Sequence, residues 1–341
     1  MDRVALDLGI VKIYWYGIVV TFGMLCAVWV AMRQFGRRGM DPNIVSDGAI
    51  WVIGLGLVGA RLYHVFSTPN DGSGVGWAYY RENPIDIFKI WNGGIGIYGG
   101  VAGGVIAIAF IMWRNRIQLF RAFDCIAPGV LLGQAIGRWG NFFNQELYGG
   151  PTGSSWFGLI IQPQNRIRTG KFDFTDLSTY PPETRFHPTF LYESVWNLIG
   201  FALLVWLARR FQENPGVLSG TTLRANTVPA VAESGAVTAP TTASETPVHD
   251  SISLIGTHWP TSKVILHDGD IGPLYLIWYA LGRAWVELGF RPDAWTIAGL
   301  PTAVWVSALL LAVAIALLLL NRIKRNRDHV ATKSSITQPI N

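Results

Sequence analysis

The chain has 341 residues, half of them apolar and only 14% charged, where a soluble domain carries about a quarter charged. With fifteen tryptophans and a positive mean hydropathy, this is the composition of a membrane protein, because tryptophan gathers where an apolar ring meets the headgroup layer. It excludes a wholly disordered chain and a nucleic-acid-coating protein despite the net charge of +5, and its two cysteines, Cys26 and Cys125, form neither a disulfide framework nor a zinc-type spacing.

Residues 1–12 mix Asp2 and Asp7 with Arg3 and Lys12 and run into an apolar stretch too long for a cleaved signal peptide, so the first span is expected to stay. A spanning helix needs about 20 apolar residues. Residues 14–32, 95–113 and 297–320 reach that length without a charge; 48–66 and 189–208 carry Arg61 and Glu193, and 271–290 carries Arg283 and Glu287. Residues 125–137 are only thirteen, with Pro128 and three glycines, and Arg138 follows. The reading is an all-α integral membrane protein of about seven spans whose fourth is short or broken.

Lys and Arg in the short loops set orientation. Arg33, Arg37 and Arg38 follow span one, Arg114, Arg116 and Arg121 span three, Arg209 and Arg210 span five, and Arg322, Lys324, Arg325 and Arg327 span seven; the alternate loops hold only Arg81, Lys89 and Arg291. The long 150–186 loop weighs little in this rule. The N-terminus is therefore expected outside and the C-terminus in the cytoplasm.

Loop 150–186, rich in Pro, Thr and aromatics, is expected to form an ordered cover over the outer mouth. Within 212–268 the composition shifts: of the 31 residues 219–249, 25 are Ala, Ser, Thr, Pro, Gly or Val, too little apolar surface to offset ordering entropy. A disordered cytoplasmic insert is expected there. It separates spans one to five, in 1–211, from spans six and seven, in 269–325, and residues 326–341 form a cytoplasmic tail.

Charges in mid-membrane cost at least about 3 kcal/mol each, so Arg61, Arg138, Glu193, Arg283 and Glu287 require a reason. Mutual pairing is one, and Arg283 and Glu287, four apart, share a helix face. Function is the other. The densest stretch is 137–149, Gly-Arg-Trp-Gly-Asn-Phe-Phe-Asn-Gln-Glu-Leu-Tyr-Gly. It brings a guanidinium, two carboxamides and a carboxylate together where span four reaches the outer surface. An arginine grips phosphate with two nitrogens, asparagines hold ester or glycerol oxygens, and glycines let backbone N–H groups face a ligand.

This run resembles the signature of the bacterial phosphatidylglycerol–prolipoprotein diacylglyceryl transferase family, Gly-Arg-x-Gly/Ala-Asn-Phe-x-Asn-x-Glu-x-x-Gly, and fills every fixed position. Other stretches agree in order: Trp15-Tyr16-Gly17, Gly59-Ala60-Arg61, Trp91-Asn92-Gly93-Gly94, His187-Pro188 with Leu191-Tyr192-Glu193, then Arg283, Glu287 and Arg291-Pro292-Asp293. The resemblance covers about residues 10–210 and 270–320. It implies a multi-pass enzyme of the bacterial inner (cytoplasmic) membrane that moves the diacylglyceryl group of phosphatidylglycerol onto the lipobox cysteine of prolipoprotein signal peptides, forming a thioether and releasing glycerol phosphate. It implies no metal and no soluble cofactor. By motif it carries over Tyr16, Arg138, Asn141, Glu146, Gly149, Arg283 and Glu287, and also Arg61 and Asp124.

From the chemistry, Arg138 and Arg283 are expected to clamp the leaving phosphate, in a cavity where fixed donors count for most, and Glu146 and Glu287 to orient the arginines or the thiol. Arg138, Asn141, Asn144, Tyr16, Gly149 and Arg61 form the expected phosphatidylglycerol-binding set. Many relatives have His-Gly-Gly in span three, where this chain has Tyr98-Gly99-Gly100. Tyr98 joins the catalytic set, with donation of a hydrogen bond favoured over proton abstraction.

Seven of the twelve residues 93–104 are glycine, which fits either helix packing through Gly96, Gly100 and Gly104 or a backbone-lined lipid cavity. Two competing functions are a transporter using the buried charges as a substrate path and a metal-dependent headgroup transferase. No inverted repeat, aspartate cluster or His-rich set accompanies either.

Overall fold

The computed structural model describes residues 3–9, 12–67, 76–90, 93–168, 172–212, 266–291 and 296–336, with the side chains of the last helix as far as 327. A short hairpin, β1 (Val4–Asp7) and β2 (Lys12–Tyr14), leads into α1 (Trp15–Arg37); α2 is Asn43–Phe66, and the small helix α3 (Trp77–Glu82) with a 3-10 turn at Pro84–Phe88 precedes α4 (Ile97–Arg114). Then come α5 (Leu119–Asn144), the strand pair β3 (Leu159–Ile160) and β4 (Arg185–Phe186), α6 (Thr189–Phe211), α7 (Ile271–Phe290), the hairpin β5 (Thr296–Ile297) with β6 (Leu300–Pro301), and α8 (Thr302–Ile336). The chain is an all-α membrane protein with three minor two-stranded sheets among the described residues. Among the described residues α1, α2, α4, α5, α6 and the Thr302–Arg327 part of α8 are long and apolar enough to cross a membrane. Helix α7 matches them in length with 20 residues, and carries the Arg283 and Glu287 pair.

Two elements differ from the sequence reading. The fourth span is neither short nor broken: α5 runs 26 residues through Pro128, Arg138 and Asn141, because the Arg138 charge that ends the apolar run is neutralised by a neighbouring helix. Pro128 removes one ladder hydrogen bond, and the buried helix continues. The last span begins at Thr302 rather than 297, because Ala298 and Gly299, both at positive φ, turn a tight two-residue hairpin between β5 and β6.

Glycine packs the helices into pairs. On α1 and α5, a Cβ at Gly129 would lie 2.5 Å from the Ala27 carbonyl, and one at Gly23 would lie 2.9 Å from that of Gly133. On α2 and α4, Gly59 faces Gly99, and Gly103 faces Leu55 and Gly56. The crowded stripe on α4 is therefore Gly96, Gly99 and Gly103. Gly100 and Gly104 make only ordinary contacts, so the packing reading holds with its register shifted. Helix α6 crosses α7 where Trp196 and Trp278 stack at 4.5 Å and each indole N–H donates to the other's carbonyl at 3.0 Å. Gly200 and Gly282 make room for those rings.

At one end of the bundle, residues 148–168 and 172–187 fold around Tyr148, Ile161, Phe174 and Phe186. Buried Arg166 organises this cover, donating to the carbonyls of Ile161, Tyr180, Pro181 and Pro182 at 2.6–3.0 Å. At the other end Asp124 accepts from Gln212 Nε2 (2.6 Å), Gly269 N (2.7 Å) and Gly272 N (2.8 Å), with Arg38 Nη1 at 3.6 Å. This clasp ties the end of α6 to the start of α7, and Gln212 bridges to Leu266. Gln212 and 266–268 therefore belong to the folded body, and the rest of the expected insert, 213–265, lies outside the described residues.

Candidate active site

The cover end of the bundle holds four of the charges that the sequence places inside the membrane. Arg138 lies two turns before the end of α5, Glu193 in the second turn of α6, and Arg283 and Glu287 one turn apart on α7. Arg138 Nε pairs with Glu193 Oε2, Arg283 Nη1 with Glu193 Oε1 at 2.8 Å, and Arg283 Nη2 with Glu287 Oε2 at 2.6 Å. The four form an alternating chain, plus, minus, plus, minus, from α5 through α6 along α7. The carboxylates are the more buried members, 9% and 5% exposed, against 22% and 20% for Arg138 and Arg283. Alternation makes four charges tolerable where an unpaired one would be expelled. The Trp196–Trp278 crossing sets the α6 to α7 register, and the Trp139 N–H donating to Ser194 Oγ (3.2 Å) sets α5 against α6.

Beside this chain the α5 terminus curls into a carboxylate cradle. Gln145 and Leu147 take left-handed φ of 53° and 55°, which turns Glu146 back so that its N–H donates to the Asn141 carbonyl at 3.1 Å. Its Oε1 accepts from Asn141 Nδ2 (3.0 Å) and Asn144 Nδ2 (3.1 Å). Tyr16 packs on Gly140, where a Cβ would come within 2.7 Å of its ring. Tyr16, Asn144 and Glu146, with Arg3 and Lys12 of the hairpin, line an open cavity of about 620 Å³. The wall of this opening thus carries the Arg3 and Lys12 cations, the Tyr16 ring and the Asn144–Glu146 pair, next to the Arg138 cluster. Among the described residues no three His, Cys, Asp or Glu side chains gather as a metal-holding group.

Several expected site residues lie elsewhere or are engaged. Arg61 is buried and donates to the carbonyls of Ile87 (2.8 Å), Gly93 (2.7 Å), Gly94 (2.9 Å) and Asp86, with its guanidinium 5.3 Å from the Tyr80 ring centre. It is occupied in holding the 84–94 segment down on α2. Gly149 gives its N–H to the His187 carbonyl at 2.9 Å, and a Cβ there would strike His187 and the Phe290 carbonyl; close packing, not an open N–H, explains the glycine. Tyr98 starts α4, is 60% exposed, and packs on Tyr63 at 5.7 Å. It shares the membrane end of Arg138 but sits on the α2/α4 pair. Asp124 is at the opposite end, in the clasp. Trp91, Asn92, Pro292 and Asp293 fall outside the described residues.

Two residues that the sequence singled out gain partners it did not assign. Glu193 appeared in the sequence as one buried charge, yet it joins both arginines; its pairing depends on helix register, which no local spacing reveals. His187 bonds through Nδ1 to Tyr192 Oη at 3.0 Å and packs on the Phe290 ring at 5.0 Å. Burial pushes its imidazole below the ordinary value.

The family model described as "Prolipoprotein diacylglyceryl transferase" matches residues 3–228 and 218–320. A phosphatidylglycerol–prolipoprotein diacylglyceryl transferase of Geobacillus kaustophilus is 33% identical over 325 residues, covering 95% of this chain and 94% of the relative. One from Streptococcus agalactiae is 31% identical across 97% of this chain and 99% of its own length, and one from Streptomyces coelicolor is 41% identical over 60% of each.

Proposed function

The chain belongs to the prolipoprotein diacylglyceryl transferase family, and from that premise we propose how its residues carry out the reaction. It is a transferase that moves the diacylglyceryl group of phosphatidylglycerol onto a prolipoprotein; the transporter reading has no support. The acceptor is the lipobox cysteine thiol of the signal peptide. The chain crosses the bacterial inner membrane seven times, N-terminus outside and C-terminus cytoplasmic, as the arginine-rich alternate loops require.

The observation carrying the mechanism is the convergence of Arg138 and Arg283 on Glu193 beside the Glu146 cradle. The cysteine, as the thiolate left when its proton passes to water, attacks through sulfur the glycerol carbon bearing the phosphate. An S–C bond forms as the C–O bond breaks, and the released glycerol phosphate takes the bonding pair. Negative charge grows on the phosphate, and two guanidinium groups already fixed in place stabilise it without reorganising. Arg138, which meets Glu193 through Nε, offers its Nη edge to the phosphate, and Asn144 and Tyr16 at the cavity wall receive the glycerol and ester oxygens. Glu193 and Glu287 hold the arginines, Glu146 aligns Asn141 and Asn144, and Tyr98 donates from the facing pair. A free thiol ionises near pH 8.5, so the cationic site needs to lower it only modestly.

The purified full chain, given phosphatidylglycerol and a lipobox peptide, should add one diacylglyceryl mass to the peptide and release glycerol phosphate. A peptide whose lipobox cysteine is replaced by serine should stay unmodified. No mass gain with the cysteine peptide would overturn the reading.

A further inference from the structure

In the half of the bundle away from Arg138, the two glycine-packed pairs, α1/α5 and α2/α4, meet through a core around Phe35 and Met112 and leave a gap beside it. Between them lies a slot of about 190 Å³ whose walls include Ala27 and Ala31 of α1, Gly48 and Ala49 of α2, Ile111 of α4 and Val130 of α5. Every lining residue is apolar or glycine. Small residues make the room: a Cβ at Gly48 would already press Ile111 at 3.2 Å. At the rim, Met24 and Ile53 are 40% and 52% exposed, so the slot opens sideways toward the bilayer.

Its position is fixed by the helix pairing. Tyr16 meets Gly140 and Ala27 meets Gly129, so α1 and α5 are antiparallel, and Phe35 packs with Met112, Ala122 and Cys125 at the end opposite Arg138. The α1 wall from Met24 to Phe35 spans about 16 Å of helix, roughly half of a ~30 Å hydrocarbon core. The slot is one leaflet deep. Met112 lines both its floor and a recess of about 570 Å³ formed by Trp113, Arg114, Arg116, Ile117 and Gln118. Neither arginine has an ion-pair partner among the described residues. Trp113, 75% exposed, stands where an interfacial indole belongs.

An apolar groove of single-leaflet depth that ends at two unpaired cations matches an anionic phospholipid at both ends. We propose that this slot is a second lipid site, holding an acyl chain of an anionic diacyl phospholipid from the leaflet opposite the reaction centre, with its phosphate on Arg114 and Arg116. The site lies between the two helix pairs and shares no residue with the Arg138 cluster.

The test uses full-length chain in phosphatidylcholine vesicles, doped with phosphatidylglycerol or phosphatidylcholine carrying a diazirine on one acyl chain. After irradiation, cross-linked peptides are mapped by mass spectrometry. The phosphatidylglycerol probe should mark peptides of residues 44–53 and 108–112 at least five times more than the phosphatidylcholine probe. Arg114→Gln with Arg116→Gln, which alters only the recess, should remove that preference, and Ala49→Phe, which fills the slot, should cut labelling at least fivefold. Equal labelling by the two probes, or an unchanged preference in the double variant, would show ordinary boundary lipid and overturn the proposal. Failure of both probes to label these peptides would mean that protein, a second copy or another part of this chain, fills the slot, and would overturn it equally. The double variant keeps the test decisive if Ala49→Phe fails to fold. Transfer to a lipobox peptide reads the other end of the molecule, so its failure and that of the lipid site are separable.

Discussion

Arg138 of α5 and Arg283 of α7 meet on a single carboxylate, with Glu193 of α6 giving one oxygen to each. The two cations proposed to grip the leaving phosphate are thus held at a fixed spacing by a residue that need not touch the lipid. Glu193→Gln keeps shape but removes the shared counter-charge. Because both arginines are partly solvated, the stability loss should stay near 1–3 kcal/mol, below that for a fully buried pair, whereas misplacing the clamp should lower kcat by about 100-fold. Turnover near wild type in a folded Glu193→Gln protein would show that the spacing of the arginines does not matter.

Arg138→Lys tests the grip itself. A point ammonium keeps the charge but cannot hold Glu193 through one nitrogen and present a planar edge to phosphate. Turnover should fall about 100-fold, with little change in thermal midpoint. Arg283 uses separate nitrogens for Glu193 and Glu287, so Arg283→Lys should lose both activity and several degrees of stability. Near-normal transfer by Arg138→Lys would reduce Arg138 to a structural ion pair.

What the sequence made legible follows physical range. Asn141, Asn144 and Glu146 lie within six residues and converge through one helix terminus, and Arg283 and Glu287 are neighbours on one face; both arrangements are local and were readable. Glu193 and Arg61 were visible only as costly charges, because their partners lie 55 and 90 residues away, or are backbone carbonyls that no side-chain pattern announces. The length of α5 was underestimated for the same reason. Arg138 ends an apolar run in the sequence, but paired with Glu193 it need not end a helix. The Arg166 hub was invisible because its partners are again main-chain oxygens.

Replacing residues 213–265 with a short Gly/Ser linker should leave folding and transfer within about twofold of wild type, since loop length is thermodynamically cheap to change. The ends are already held together: Gln212 bridges to Leu266, and Asp124 binds Gln212, Gly269 and Gly272. By contrast, Asp124→Ala in the same background should destabilise the protein, because it strands three buried donors. Lost transfer in a well-folded linker variant would reveal a role for the replaced segment.

Stability should depend on pH through His187. Burial lowers its imidazole from the ordinary value, and its partner is the Tyr192 hydroxyl rather than a carboxylate. The folded state then binds its proton less readily than the unfolded chain. Stability is full above the unfolded value of about 6.5 and declines as pH falls through the lower folded one. The ring is only partly buried, so the effect is small. Between pH 7.5 and 5.5 the thermal midpoint of the wild type should drop more than that of His187→Gln. Parallel curves would assign the acid sensitivity to other groups.

Tyr98 separates two kinds of chemistry at the position where many relatives carry histidine. Its ring rests on Tyr63 and is otherwise exposed, so Tyr98→Phe keeps the packing and removes only the hydroxyl. If that hydroxyl donates to a lipid oxygen or to the thiol, Tyr98→Phe should lose about tenfold in kcat or more, in line with one lost hydrogen bond to a charged group, and Tyr98→His should retain most of it, because imidazole also donates. If the position instead takes up the thiol proton, the rate should follow the titration of the side chain. The His variant would then gain a limb near pH 6.5 that the native enzyme lacks. Donation is favoured because Tyr98 stands on the α2/α4 pair, across from the Arg138 cluster, where a group can reach a bound substrate without being tied to Glu146 or Glu193. Rate profiles of the native, Phe and His proteins over pH 5–10 decide it: a limb that moves with the side chain rejects donation.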